Sequence, residues 1–273
     1  MNKGRNISIM GIVNLTDDSF FAGSRCADVS AALARIGSMV EEGMDIVDIG
    51  ACSTRPGALP VGEDEEWRRL EPVLRALRKD FPDLPVSVDT YFSSVVEKVH
   101  DLIGPFVVND ISAGEADPAM LPVVGHLKLR YVAMHMRGDS MTMQSLTDYN
   151  DVTSEVVGYF RKFAVKAEQN GVEDWILDPG FGFAKTLEQN YKLLFGLREF
   201  GSVVRADGTV PPILVGLSRK SMIYKFFNIT PEESLAPLQV LHLIALQNGT
   251  DMLRVHDVKE AVRTVQLYNL SIR

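Results

Sequence analysis

Eight short runs of apolar, β-favouring residues recur along the chain, separated by longer amphipathic stretches, and this alternation restricts the fold to strand–helix units around a parallel sheet. The runs occupy residues 7–13, 45–50, 85–89, 106–110, 130–136, 175–178, 212–217 and 252–257. Helical spacing marks 29–42, 63–79, 153–170 and 188–200. A further helix over 230–247 is announced by Thr230, Pro231 and Glu233, an N-cap, first-turn proline and capping-box partner. Gly171 and Gly249 stand where helices should stop. Eight such units fit a closed (β/α)8 barrel or an open doubly wound sheet. After the first strand the chain reads NLTDDSF, without the glycine fingerprint of a dinucleotide-binding turn, which favours the α/β TIM barrel. With 273 residues, no long linker and no repeat beyond the alternation, one domain over 1–273 is expected.

Composition narrows the function. The net charge of -8 supplies no general field for a nucleic-acid backbone, so cations for an anionic ligand must be placed locally. The first residues, MNKGRNISIMGIVN, are too short and polar an apolar stretch for a signal peptide or membrane span. Cys26 and Cys52 show no metal-ligand spacing and no reason to pair, which suits a reduced, cytoplasmic setting.

Nearly every strand ends in polar or glycine-rich residues unlike its own composition. In a barrel these ends share one face, where Asn14, Asp48, Asp89, Asn109, His135, Asp178, Ser218, Arg219, Lys220, Arg254 and His256 would converge. One such residue alone reads as a helix cap or turn former. Eight ends together read as a site. Asp89, Asn109, Asp178 and Lys220 suit a flat heterocycle carrying both N–H donors and carbonyl acceptors, with Met134 and Phe183 placed to flank its ring, although either apolar residue also suits a core. Ser53, Thr54, Arg55, Arg254 and His256 offer hydroxyls and cations for a phosphate, while the two arginines would serve equally in plain ion pairs. Asn14 is a hard oxygen donor suited to Mg2+, which keeps most of its waters. Phe20 and Phe21 before Gly23, and Pro56 with Gly57, mark long first and second loops able to close over a ligand.

The strings MGIVNLTDDSF, DIGACSTRPGA, SVDT, VNDIS, MHMRG, LDPGFGFAKT, GLSRKSM and RVHDV occur in order at the strand ends, and in them the chain resembles the dihydropteroate synthases over almost its whole length. The resemblance implies a (β/α)8 barrel, usually a homodimer, that uses Mg2+, condenses 6-hydroxymethyl-7,8-dihydropterin pyrophosphate with 4-aminobenzoate, and is a sulfonamide target. It assigns the pterin to Asp89, Asn109, Met134, Asp178, Phe183, Lys220 and Arg254, with Asp89, Asp178, Lys220, Arg254 and His256 catalytic. Pyrophosphate falls to Thr54, Arg55, Arg254 and His256, the metal to Asn14, and 4-aminobenzoate to Phe20, Pro56 and Ser221. Neither a nucleic-acid nor a membrane partner is implied. Two departures stand out: Asp17 and Ala22 replace the proline and acidic residue usual in the first loop, and Ala51 and Cys52 stand where glycine, alanine and glutamate are commoner. Asp17 or Asp18 would have to supply the missing loop carboxylate. The altered loop keeps a non-catalytic pterin-binding homologue open, and the shared barrel keeps open a pterin-dependent methyltransferase.

Overall fold

The computed structural model describes residues 7–15, 25–52, 61–139 and 141–272, with backbone alone for 25–28. Its strands are β1 (Ser8–Asn14), β2 (Ile46–Gly50), β3 (Val86–Asp89), β4 (Val107–Asp110), β5 (Arg130–Met134), β6 (Trp175–Asp178), β7 (Leu214–Val215) and β8 (Met252–Val255). The helices are α1 (Arg25–Glu41), α2 (Glu63–Asp80), α3 (Ser93–Ile103), α4 (Met120–His126), α5 (Val152–Gln169), α6 (Leu187–Phe195), α7 (Ser221–Phe227), α8 (Leu235–Gln247) and α9 (Val258–Ser271). All strand pairs are parallel, in the order β6-β5-β4-β3-β2-β1-β8-β7. A parallel bridge between Leu177 and Ile213 joins the two ends, so the sheet closes into the barrel.

That seam is thin for a chemical reason. Pro211 and Pro212 lack N–H groups, so Pro212 joins the sheet only through its carbonyl, which accepts from Leu177 N at 2.9 Å. The strand expected over 212–217 is thereby cut to Leu214–Val215. Two helix expectations also shift. Residues 188–200 divide at Gly196 into α6 and a 3-10 turn, Leu197–Ser202. Thr230 and Glu233 do exchange capping bonds, Thr230 N to Glu233 Oε2 at 2.8 Å and Glu233 N to Thr230 Oγ1 at 3.4 Å. They open a 3-10 turn, Glu232–Ser234, that leads into α8. Gly171 and Gly249 have φ of 71° and 108° just beyond α5 and α8, the left-handed conformation that a helix stop requires.

Strand alternation sorts the side chains into two cores. Met10, Ile46, Val132, Ile176, Leu214 and Met252 fill the lower barrel interior with Val107 against them. The alternate residues, such as Val47, Val88, Val108, Tyr131 and Leu177, face the surrounding helices in a larger core. Each large side chain buried there contributes roughly 1.5–3 kcal/mol. The interior plug matters for function because whatever lies above it opens only toward the C-terminal strand ends.

Candidate active site

Continuing each strand two residues past the apolar plug places a new layer of side chains in the barrel mouth. Ile12 and Asn14 follow Met10, Asp48 and Gly50 follow Ile46, Met134 follows Val132, Asp178 follows Ile176, and Arg254 follows Met252. Asn109 likewise follows Val107, and Asp89 stands beside it across the β3–β4 ladder. Asn14 is in register with Gly50, Gly50 with Asp89, and Met134 with Asp178. The expected convergence of Asn14, Asp48, Asp89, Asn109, Asp178 and Arg254 is therefore present, and Met134, expected to flank a ring, lies in the same layer.

Arg254 organises one side of this layer. Its Nε donates to Asp48 Oδ2 at 2.6 Å, and its Nη2 donates to Asp89 Oδ2 at 2.9 Å. Asn109 Nδ2 also donates to Asp48 Oδ2, at 3.1 Å. Asp48 is fully buried, so it acts as the post on which both the guanidinium and the amide are hung. Burial pushes the Asp89 carboxyl up to about 7; Arg254 opposes that rise, and Asp48, Glu66 and Asp110 reinforce it. Burial disfavours the Arg254 cation as well, but Asp48 and Asp89 outweigh it and raise its pKa.

The turn between β6 and α6 builds the other side. Asp178 Oδ1 accepts from Gly180 N at 2.8 Å. Lys220 Nζ donates to Phe181 O and lies 4.8 Å from the centre of the Phe183 ring. Gly180 has φ of 69°, and a Cβ there would stand 1.9 Å from His135 O, so only glycine lets the turn pass this close to β5. Burial raises the Asp178 pKa against Lys220, Gly180 N, Arg254 and Lys185, all of which lower it. Burial likewise lowers Lys220 to about 8, against the upward pull of Asp178. A carboxylate and an ammonium, both pushed toward neutrality, thus face one mouth.

His256 Nδ1 lies 3.0 Å from Ser218 Oγ beside the end of β8, and Ser221 opens α7 directly after Lys220. Asn14 Oδ1 lies 3.5 Å from where a Gly50 Cβ would stand, so the missing side chain at Gly50 leaves its oxygen space. Among the described residues no group of three or more His, Cys, Asp or Glu is arranged to hold a metal. An ion at Asn14 would take its other ligands from water and a bound phosphate, a set that fits Mg2+. Phe20, Phe21, Ser53, Thr54, Arg55, Pro56, Asp17, Asp18 and Ala22 lie outside the described residues, as does the side chain of Cys26.

Two residues of the expected rim point elsewhere. His135 follows inward-facing Met134 by one position, so alternation turns it outward, where its ring meets Tyr159 edge-on at 4.9 Å. Arg219 is exposed, with φ of 57°, and pairs with Asp257 at 3.4 Å. Asp110 bears out the bland reading of a strand-end carboxylate: it accepts from Ser112 N, Gly114 N and Tyr131 Oη at 2.7, 2.8 and 2.6 Å. Cys52 is free and packed, its Sγ donating at 2.7 Å to Glu66, a buried carboxylate at the start of α2 that sequence reasoning missed. Lys185 was missed as well, although it stands within the quoted LDPGFGFAKT. A lysine amid apolar residues just before a helix cap was the available signal.

Comparison with known proteins agrees with this geometry. The family model described as pterin binding enzyme matches residues 10–256. A relative named dihydropteroate synthase from Escherichia coli K12 is 38% identical over 266 residues, covering 97% of this chain and 91% of the relative. Among solved structures, a dihydropteroate synthase from Clostridium difficile in the presence of pteroic acid superposes with a TM-score of 0.90 at 34% identity, covering 100% of this chain and 99% of that one. One from Burkholderia cenocepacia complexed with 7,8-dihydropteroate gives 0.86 at 35% identity, covering 97% and 91%.

Proposed function

The chain belongs to the pterin-binding enzyme family, and from that premise we propose that it acts as a dihydropteroate synthase, joining 6-hydroxymethyl-7,8-dihydropterin pyrophosphate to 4-aminobenzoate with release of pyrophosphate. The product, 7,8-dihydropteroate, places the activity in folate biosynthesis. The observation that carries this reading is the single mouth holding Asp89, Asn109, Asp178 and Lys220, with Arg254 hung between two carboxylates. Relatives of nearly full coverage named for the synthase favour it over a methyltransferase.

The roles follow from what each atom still offers. Gly180 N occupies Asp178 Oδ1, so Oδ2 faces the ring N–H donors. Asn109 uses Nδ2 on Asp48 and keeps its carbonyl for the ligand. Lys220 donates to a ring acceptor, and Met134 and Phe183 flank the ring faces. Arg254 closes the site on the pyrophosphate side, where His256 stands, and Thr54 and Arg55 are assigned to the same anion. When bound at Asn14, Mg2+ supplies positive charge to the pyrophosphate oxygens.

In the first step the carbon–oxygen bond breaks and pyrophosphate leaves with the electron pair. The remaining CH2 cation is delocalised into the pterin, and Asp178 and Asp89 stabilise it more than the ground state. The amine lone pair of 4-aminobenzoate, held by Ser221, Phe20 and Pro56, forms the carbon–nitrogen bond, and the nitrogen then loses a proton to the departed pyrophosphate or to water. Exclusion of water by the first two loops protects the cation from hydrolysis.

Among the described residues no helix is long and apolar enough to cross a membrane. A cytoplasmic setting is supported by the cysteine usage, two residues with no reason to pair. A homodimer is supported by the exposed Phe195, Phe226, Phe227 and Val240 on α6, α7 and α8, where α6 packs against both of the others. The deciding experiment supplies Mg2+, the pterin pyrophosphate and 4-aminobenzoate, and follows pyrophosphate and dihydropteroate together. Equal amounts of both establish the synthase. Pterin binding with neither product would establish the non-catalytic homologue instead.

A further inference from the structure

Lys185 is 4% exposed, and its ammonium meets three acceptors: Gly180 O at 2.9 Å, Phe183 O at 3.0 Å and His135 Nδ1 at 3.0 Å. Three acceptors match the three N–H bonds of a charged lysine, which assigns His135 the neutral tautomer with its proton on Nε2. The turn that Lys185 closes is demanding. Gly180, Gly182 and Ala184 all have positive φ, of 69°, 82° and 49°, and for Ala184 that conformation is strained. Buried Asn190 braces the same turn, accepting from Gly182 N at 2.7 Å and donating to Lys185 O at 3.2 Å.

Every group this turn presents to the mouth depends on its shape. Gly180 N bonds Asp178, Phe181 O receives Lys220, and the Phe183 ring lies against that ammonium. We propose that Lys185 is a positioning residue for the ring-binding floor: its ammonium fastens the β6–α6 turn to His135, directly after β5, and thereby sets the donors and acceptors that Asp178, Lys220 and Phe183 offer a pterin. The inference rests on the pterin reading of this site. Lys185 also adds a cation behind Asp178, alongside Lys220 and Arg254. Burial pushes the Lys185 pKa well below its usual value, with Lys220 and Arg137 reinforcing that and Asp178 opposing it, while the three acceptors around the nitrogen favour its charged form; His135 is the other titratable group that faces it.

The test uses the full chain and equilibrium binding of 6-hydroxymethylpterin, which needs no turnover, with inorganic pyrophosphate as second probe. Lys185→Met is expected to weaken the pterin by about tenfold or more while changing pyrophosphate affinity by less than about twofold. Because Asp178 loses a neighbouring cation, the acid limb of pterin binding shifts to higher pH. Lys185→Arg, which keeps the charge but not the geometry, restores the acid limb ahead of the affinity. His135→Asn removes one leg only, leaves the lysine and its two carbonyl partners in place, and is expected to give a smaller pterin loss of about threefold. Unchanged pterin affinity and acid limb in either variant, or proportional loss of both probes with no change in the acid limb, overturns the proposal. If the wild type binds pterin but makes no dihydropteroate, the synthase reading fails while this one stands.

Discussion

Asp89→Asn tests the electrostatics of the mouth most directly. Burial lifts the Asp89 carboxyl from 3.8 to about 7, so the folded protein holds a proton there that the unfolded chain has released. A pKa raised on folding contributes stability that is complete below the unfolded value and disappears as pH rises through the folded one. Between pH 5 and pH 8 the wild type therefore loses about 2.6 kcal/mol from this residue, at nearly 1.36 kcal/mol per pH unit near pH 5 and tapering off through pH 7. Asparagine does not titrate. Removing the bond that Arg254 Nη2 makes to Asp89 lowers the variant's stability by a comparable amount at both pH values and leaves the difference intact. Urea denaturation of both proteins at pH 5 and pH 8 measures it: relative to wild type, the variant gains roughly 2–3 kcal/mol between the two pH values. Pterin affinity meanwhile falls about hundredfold, since an amide cannot accept the same charge-assisted bonds. A stability difference that is flat with pH would refute burial as the cause of the shift.

Asp178→Asn should lower kcat by about hundredfold through loss of charge stabilisation, yet leave the Kd of pyrophosphate within about twofold; equal losses would count against cation stabilisation. Pterin binding should weaken as pH rises through about 8, where Lys220 deprotonates, and Lys220→Arg should remove that limb whatever it does to affinity. Asn14→Ala should raise the Mg2+ concentration for half-maximal turnover by about tenfold without altering binding of a pterin that lacks phosphate, as titration calorimetry would show. His242, fully buried, is lowered by burial to about 3, so the neutral ring's stability is present above pH 6.5 and lost as pH falls toward 3. His242→Leu should remove about 2.3 kcal/mol of acid sensitivity between pH 6.5 and 4.5, read from denaturation at each pH.

The barrel mouth was legible because a polar residue closing an apolar strand is chemically out of place, and Asn14, Asp89, Asn109 and Asp178 all declare themselves in that way. The limits were equally physical. His135 looked like its neighbours until alternation was applied: with Met134 facing in, the next residue faces out and serves Lys185. Arg219 adjoins Lys220 in sequence, yet its left-handed backbone sends the side chain to Asp257. Closure of the sheet was legible only indirectly, from the missing dinucleotide-binding glycines and the family resemblance, since the Leu177–Ile213 seam is one bridge beside two prolines and has no periodicity to read. Lys185 was hidden because its role depends on carbonyls whose directions are set only when the turn has formed.

The site as a whole is held in an electrostatically costly state. Burial pushes Asp89 and Asp178 up and Lys220 down, so each of these three groups is nearer neutrality than it would be in water. A core chosen for stability would replace such groups with apolar ones of similar volume. Here the cost is confined to the layer above the apolar plug, and the second carboxylate on Arg254, Asp48, is fully buried where no ligand reaches it. A heterocycle that donates N–H bonds to the two carboxylates and accepts one from the ammonium returns all three toward their charged forms. Binding and the later growth of positive charge on the ring draw on the same stored energy. Ligand affinity, pH dependence and turnover should consequently move together when Arg254 is altered, because it alone bonds to both Asp48 and Asp89 among the described residues.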